Sequence, residues 1–295
     1  MGRAARLLAA AGTLLAMPAV ALAQEAVPGV EPHATDFQVY FGEPASPIME
    51  RIINFNNGVM IVITLITLFV MALLGWVMIR YNARRNPTPS KTTHNTLVEV
   101  LWTVVPVLIL VGIAIPSFSL LFAQYDPARA IDDYDPAAAI TVKATGYQWY
   151  WGYEYPDNGI REFTSTPLRD AEPRLLAVNL PMVVPVDTVI RMQVTGAPTG
   201  VIHAFSLNHM GVKLDAVPGR ITESWFLAER EGIFYGQCSE LCGREHYNMP
   251  IELRVVSQEQ FAQWVEAAST SVQNARALLD QWEAERIAAA QVAAR

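Results

Sequence analysis

The chain has 295 residues but only two cysteines, Cys238 and Cys242, and both fall in the stretch YGQCSELCGREHYNMP. Glu240 lies between them, and His246 and Met249 follow within eleven residues of the first. Thiolate, imidazole and thioether are the soft and borderline donors that hold transition metals. Three chemistries are open to such a run. An exported pair of cysteines can close a disulfide, yet a C-x3-C loop is so small that the bridge would restrain the unfolded chain little. A structural zinc site takes four cysteine or histidine ligands and no methionine. A thioether beside thiolates points instead to copper. Two thiolates can bridge two coppers, each of which then needs a terminal histidine. His246 supplies one, and the other must come from an earlier segment. Of the five histidines, His33 lies near the N-terminus and His94 in a basic connector. His203 remains, in the strand-like run GVIHAFSL 35 residues before Cys238, together with His209 on the loop that follows.

These donors need a scaffold and a compartment. Arg3 and Arg6, the apolar run Leu7–Val20 and the Ala21-Leu22-Ala23 sequence form a secretory signal cleaved after Ala23. Val59–Ile79 carries no charge in 21 residues and Val100–Ala123 none in 24. A membrane-spanning helix needs about 20 apolar residues, so both are predicted spans. Pro106 and Pro116 are tolerable inside the second one. The connector holds Arg80, Arg84, Arg85 and Lys91 and no acid before Glu99. Positive charge marks the cytoplasmic side, so the hairpin turns inside and both termini lie outside. The net charge of −7 then belongs mainly to exported parts, where Asp126, Asp132, Asp133, Asp135, Glu154, Asp157, Glu162, Asp170 and Glu172 cluster. Such a surface repels nucleic acid and suits a basic protein partner.

From about Ala139 the pattern becomes short runs of β-branched and aromatic residues separated by Gly and Pro, as in AITVKATGYQWYW and MPIELRVVS. That pattern predicts a β-sandwich or barrel. After Ser257 the chain is rich in Ala, Gln and Glu, and Phe261, Trp264, Val265, Ala268 and Val272 recur at helical spacing. The predicted organisation is a signal over 1–23, an exported segment over 24–56 and a hairpin over 57–125 with its connector at 80–99. A β-domain over 135–257 and a helix over 258–295, frayed beyond about Glu283, complete it. The fold class is a membrane-anchored α+β protein: a two-helix transmembrane hairpin carrying an exported cupredoxin-like β-sandwich or barrel.

The stretches HNTLVEVLWTVVP, GYQWYWGYEYP, VIHAF, VKLDAVPGR and GQCSELCGREHYNMP occur in that order. Together they resemble subunit II of cytochrome c oxidase, a bacterial haem-copper terminal oxidase, over roughly residues 45–257. The resemblance implies a binuclear copper A centre that takes electrons from cytochrome c and passes them to haem in subunit I. Cys238 and Cys242 would be its bridging thiolates, His203 and His246 its terminal imidazoles, and Met249 a weak ligand. Glu240 would offer its backbone carbonyl to copper and its carboxylate to a magnesium ion shared with subunit I. Aromatic clusters in β-domains are usually core. The resemblance instead makes Trp149 the surface residue where electrons enter, with Tyr150 and Trp151 packed inward. It places Glu99 at the mouth of a proton path, a role consistent with an ionisable residue at a span's edge. The implied partners are subunit I, subunit III, cytochrome c and the lipid bilayer of the bacterial inner membrane, with the copper domain and both termini periplasmic.

The chain departs from that pattern in two places. Acids that would help dock the cytochrome are replaced by Gly200 and Asn179, leaving Glu154 and Asp157 for that task. The segment SLNHMGVK puts His209 close to the site in sequence, where it reads as a loop residue. No C-x-x-C-H run for a covalently attached haem is present. A quinol oxidase subunit II would lack the copper donors. A membrane-anchored copper-binding or copper-delivery protein would leave Glu99 and Trp149 without a purpose.

Overall fold

The computed structural model describes residues 37–293. The signal segment, His33 and the first part of the exported N-terminal segment lie outside the described residues.

Two long apolar helices come first. Helix α1, Pro47–Arg80, starts at Ser46, whose hydroxyl accepts the Met49 N–H, with proline in its first turn. Helix α2, Thr96–Tyr125, starts at Asn95, whose side chain accepts the Val98 N–H, and carries Pro106 and Pro116 inside it. Their mean hydropathies reach 2.6 and 2.5, and among the described residues nothing buries those stretches. At about 1.5 Å per residue, the 34 residues of α1 exceed the ~30 Å of a hydrocarbon core. The surplus is at its start, where Ile48 and Met49 are buried against the β-domain. The end of α2 is fastened there too: Trp225 Nε1 donates to Ala123 O at 2.9 Å, and Ser224 Oγ to Gln124 O at 2.8 Å.

The domain itself has ten strands: β1 (Ile140–Tyr147), β2 (Tyr150–Tyr155), β3 (Ile160–Ser165), β4 (Met182–Pro185), β5 (Val189–Gly196), β6 (His203–Leu207), β7 (Val212–Ala216), β8 (Thr222–Leu227), β9 (Gly232–Cys238) and β10 (Pro250–Val256). They form two five-stranded sheets, ordered β3-β2-β1-β5-β8 and β4-β10-β9-β6-β7. β1 with β5 and β10 with β4 are parallel pairs; the other pairs are antiparallel. Fully buried Trp151, Tyr153, Phe205, Phe226, Phe234 and Met192 fill the space between the sheets. Tyr150 does not join them. It stacks on Tyr147 outside, ring centroids 4.9 Å apart, because neighbouring strand residues face opposite ways and Trp151 takes the inner face.

The C-terminal segment is two helices where the sequence pattern predicts one. Helix α3, Gln258–Thr270, opens on a reciprocal cap between Ser257 and Gln260. Ser271 then turns extended, and α4 runs from Val272 to Ala293. The part of α4 up to Glu283 is tied down. Ala275 and Leu279 are buried, and Glu283 Oε2 meets Arg254 Nη1 at 2.9 Å.

Candidate metal centre

Two strands and one loop assemble the donors. His203 is the first residue of β6 and Cys238 the last of β9; the two strands pair through Phe205 and Cys238. The loop 239–249 returns to β10 and is pinned at both ends. Ser239 N donates to Ala204 O at 3.0 Å, and Cys238 N to Met249 O at 3.2 Å. His246 begins a short 3-10 turn within the loop.

The sulfurs of Cys238 and Cys242 stand 3.8 Å apart and are not bonded to each other. A disulfide needs about 2.05 Å. Two thiolates on one tetrahedral metal, each at about 2.3 Å, would stand ~3.8 Å apart, so the spacing suits two sulfurs on a shared metal and not a disulfide. His203 Nδ1 lies 3.9 Å from the Cys238 sulfur, and His246 Nδ1 lies 3.6 Å from that of Cys242. Each imidazole thus flanks a different sulfur. The donor atoms of His203, Cys238 and Cys242 all fall within 4.8 Å of one another, and all three residues are buried. His203 Nε2 is buried with no hydrogen-bond partner among the described residues. Glu240 is exposed, while its carbonyl oxygen lies 3.3 Å from the Cys238 sulfur. Met249 is 1 % exposed, packed beneath the loop.

Electrostatics in the metal-free protein favour neutral donors. Burial, with the Cys238 sulfur beside it, pushes the Cys242 thiol up to about 12. Burial, and then His246, hold the His203 imidazole below its ordinary value. A soft cation reverses this balance, because coordination favours thiolate and neutral imidazole. The two sulfurs, two imidazoles and buried thioether are a copper donor set more than a zinc one.

Two glycines make room. A Cβ on Gly146 of β1 would stand 2.9 Å from His203 Cδ2. Gly243 sits in the loop at φ 120°, and a Cβ there would approach Trp149 Cζ2 to 3.0 Å. Trp149, half-buried in the β1–β2 turn, donates its indole N–H to Cys242 O at 3.1 Å. Gln148 Nε2 donates to the same oxygen at 3.0 Å. The sequence reading singled out neither Gln148 nor the glycines. GYQWYW carried Gln148 in plain view, but only the folded turn reveals its partner.

The remaining sequence-predicted residues lie elsewhere. Glu99 is in the first turn of α2, where its carboxylate accepts the Asn95 N–H at 3.2 Å. Glu154 pairs with Lys143 at 3.0 Å, and Asp157 accepts the Thr141 N–H at 2.7 Å. Both acids face β1 residues well back from the turn that carries Trp149. His209 is not among the grouped donors. Its Nδ1 is 2.8 Å from Glu43 O, and its ring tilts on Phe234 at the junction with α1.

Compared with known proteins, residues 140–256 match the family described as "Cytochrome C oxidase subunit II, periplasmic domain". Residues 34–120 match "Cytochrome C oxidase subunit II, transmembrane domain". The "Cytochrome c oxidase subunit 2" of Cereibacter sphaeroides is 42% identical over 284 residues, covering 88% of this chain and 89% of that protein. The "Probable cytochrome c oxidase subunit 2" of Rickettsia felis is 44% identical over 245 residues, covering 81% and 75%. Among solved structures, the periplasmic domain of subunit II of cytochrome oxidase of Bradyrhizobium japonicum is 59% identical, with a TM-score of 0.44, covering 45% of this chain and 95% of that one.

Proposed function

The chain belongs to the cytochrome c oxidase subunit II family, and from that premise we propose that its exported domain receives electrons from a cytochrome c at a binuclear copper A centre and delivers them to haem in subunit I. It is a subunit of an oxidoreductase complex, anchored in the inner membrane with a periplasmic domain. One observation carries the finer reading. His203, Cys238, Cys242 and His246 form a single row of donors whose two sulfurs stand 3.8 Å apart, with one imidazole at each end.

In this reading Cys238, Cys242, His203 and His246 would together hold two coppers. Met249 and the Glu240 carbonyl are weak ligands that tune the site. Bound there, the copper pair supplies a one-electron acceptor whose charge is spread over two metals. The protein's part is to hold the donors still in a dry pocket. Trp149 offers the way in: its indole is at the surface, and its N–H reaches the carbonyl of a ligand residue in one hydrogen bond. The exposed Glu240 carboxylate is free to hold magnesium against subunit I. Glu99 opens the proton path on the cytoplasmic side, where its position at the start of α2 supports the role. Subunit III is a further partner, and both termini are periplasmic.

Metal analysis and electron resonance on the detergent-solubilised full chain test this. Two coppers per chain, with one unpaired electron coupled to both nuclei, are expected. One copper with a single-nucleus pattern, bound zinc, or a Cys238–Cys242 disulfide in the metal-loaded protein would overturn it.

A further inference from the structure

We propose that Gln148 is a positioning residue for electron entry: its side-chain amide fixes the Cys242 carbonyl so that the Trp149 indole keeps its hydrogen bond to a ligand residue. This rests on the reading of Trp149 as the place where electrons enter, and it names the group that holds that contact together.

The contact is one oxygen with two donors. Trp149 Nε1 donates to Cys242 O at 3.1 Å, and Gln148 Nε2 donates to it at 3.0 Å. A carbonyl oxygen has two lone pairs, so the two bonds fill it. It can only accept, so the amide nitrogen of Gln148, and not the amide oxygen, must face it. Among the described residues no backbone N–H reaches this oxygen. The nearest backbone bond in the loop, His246 N to Gly243 O at 3.3 Å, belongs to the next peptide. The chain itself sets the Cys242–Gly243 peptide loosely. Gly243 has φ 120°, and glycine turns through the positive-φ region at little steric cost.

Packing does not fix the contact from the other side either. The indole packs against the core cluster, but it also lines an open cleft of about 230 Å³ with Pro167, Arg169 and Asn248. Gln148 and Trp149 are neighbours at the tip of the β1–β2 hairpin. Its base is closed by Tyr147 opposite Tyr150, with rings stacked 4.9 Å apart. Glu162 holds Tyr147 in turn, accepting from its hydroxyl at 2.7 Å. A braced tip thus presents two adjacent donors to one oxygen. Gly243 lets them close in, since a Cβ there would stand 3.2 Å from Gln148 Nε2 and 3.3 Å from Trp149 Nε1. Without the amide, Cys242 O keeps one partner, its peptide turns more freely and the indole bond opens more often. One hydrogen bond corresponds to about a 2- to 10-fold shift in such an equilibrium. Gln148 is exposed, so water reaches the freed carbonyl and the fold survives its loss.

The test uses Gln148→Met, which keeps the length of the side chain and removes the donor. In the metal-free full chain in detergent, hydrogen exchange of the Trp149 indole N–H, labelled with nitrogen-15 and assigned with Trp149→Phe, should speed about 2- to 10-fold. The Trp225 indole, bonded to Ala123 O, is the internal reference and should not change. In the assembled oxidase, electron entry after flash reduction of a bound c-type cytochrome should slow by up to the same factor, with the copper absorbance unchanged. Placed on Trp149→Phe, which has no indole N–H to hold, Gln148→Met should have no further effect, because the two residues act through one contact. Gln148→Glu, of the same size but unable to donate while ionised, carries the test if Gln148→Met does not assemble. The proposal is overturned if indole exchange or electron entry is unchanged in these variants, or if the loss of rate persists in full on the Trp149→Phe background. Loss of the two-copper signal in the parent oxidase, or unchanged entry in Trp149→Ala, would instead strike the underlying reading of the site.

Discussion

Gly146→Ala should damage the metal centre without altering a single donor. The added Cβ would stand 2.9 Å from Cδ2, 3.0 Å from Cγ and 3.1 Å from Cβ of His203. Carbon atoms in contact prefer about 3.5–4.0 Å, so the imidazole must retreat by ~0.6–1 Å. It has nowhere to go. His203 is 0% exposed, and the Trp151 ring packs behind it with centroids 6.1 Å apart. Gly146 is not in the left-handed region, so alanine suits its backbone and the effect is purely steric. Overpacking of this kind costs about 1–3 kcal/mol. Metal sites tolerate shifts of about 0.2 Å in donor position, several times less than the displacement forced here. Copper affinity should fall by ~10–100-fold, the range seen when the groups supporting a ligand are disturbed. Ala144→Val is the control. It adds bulk to the same buried face of β1, two residues away from Gly146. Copper titration followed by visible absorption, with urea unfolding of the metal-free chain, separates the two. Both variants should lose stability, and only Gly146→Ala should lose copper. Unchanged affinity and spectrum in Gly146→Ala, beside comparable destabilisation in Ala144→Val, would refute the steric argument.

Trp149→Ala should cut the rate of copper reduction by cytochrome c by orders of magnitude while leaving the copper spectrum in place, as flash-initiated electron transfer would show. His209→Ala should leave that spectrum unchanged, since the ring serves Glu43 O and Phe234; a changed spectrum would make it a ligand. Glu99→Ala should slow proton-coupled turnover but not copper reduction, with a helix-cap loss of about 0.5–1 kcal/mol; slowed reduction would remove it from the proton path. Arg254→Met should cost about 3–5 kcal/mol in urea unfolding, because Glu252, 3% exposed in its side chain, would keep a buried charge without its partner.

The grouping of Cys238 with Cys242 was legible because the two are close in sequence, and His203 joined them in the reading because its apolar strand context differs from the loop around His209. The carbonyl partner of His209, Glu43 O, was not, because it depends on how residues before α1 fold over that loop. Hydropathy located both spans yet not their beginnings. The Ser46-Pro47 and Asn95-Thr96 caps that open α1 and α2 are start signals independent of apolarity. The acids were legible as residues, but not as a docking surface. Only the β1–β2 register sets Glu154 across from Lys143, and only the folded loop turns Glu245 inward. Charge seen in a sequence carries no direction until its neighbours are known.

The break at Ser271 matters for the same reason. An uninterrupted helix could not bring α4 back across β10 from where α3 leaves it. After the break, Arg276 Nη1 donates to Val178 O and Asn179 O, at 3.1 Å each. Val178 N in turn donates to Glu252, which pairs with Arg254 at 2.8 Å, and Arg254 reaches Glu283 on α4. Buried ion networks add little net stability but are costly to break, so they fix an arrangement more than they strengthen it. The arrangement fixed here is the loop between β3 and β4, whose other limb carries Pro167 and Arg169 to the Trp149 cleft. The copper donors come from β6, β9 and the loop before β10, and none comes from this C-terminal network. The network from α4 thus holds the loop that lines the Trp149 cleft, while the grouped His203, Cys238 and Cys242 are placed by the pairing of β6 with β9.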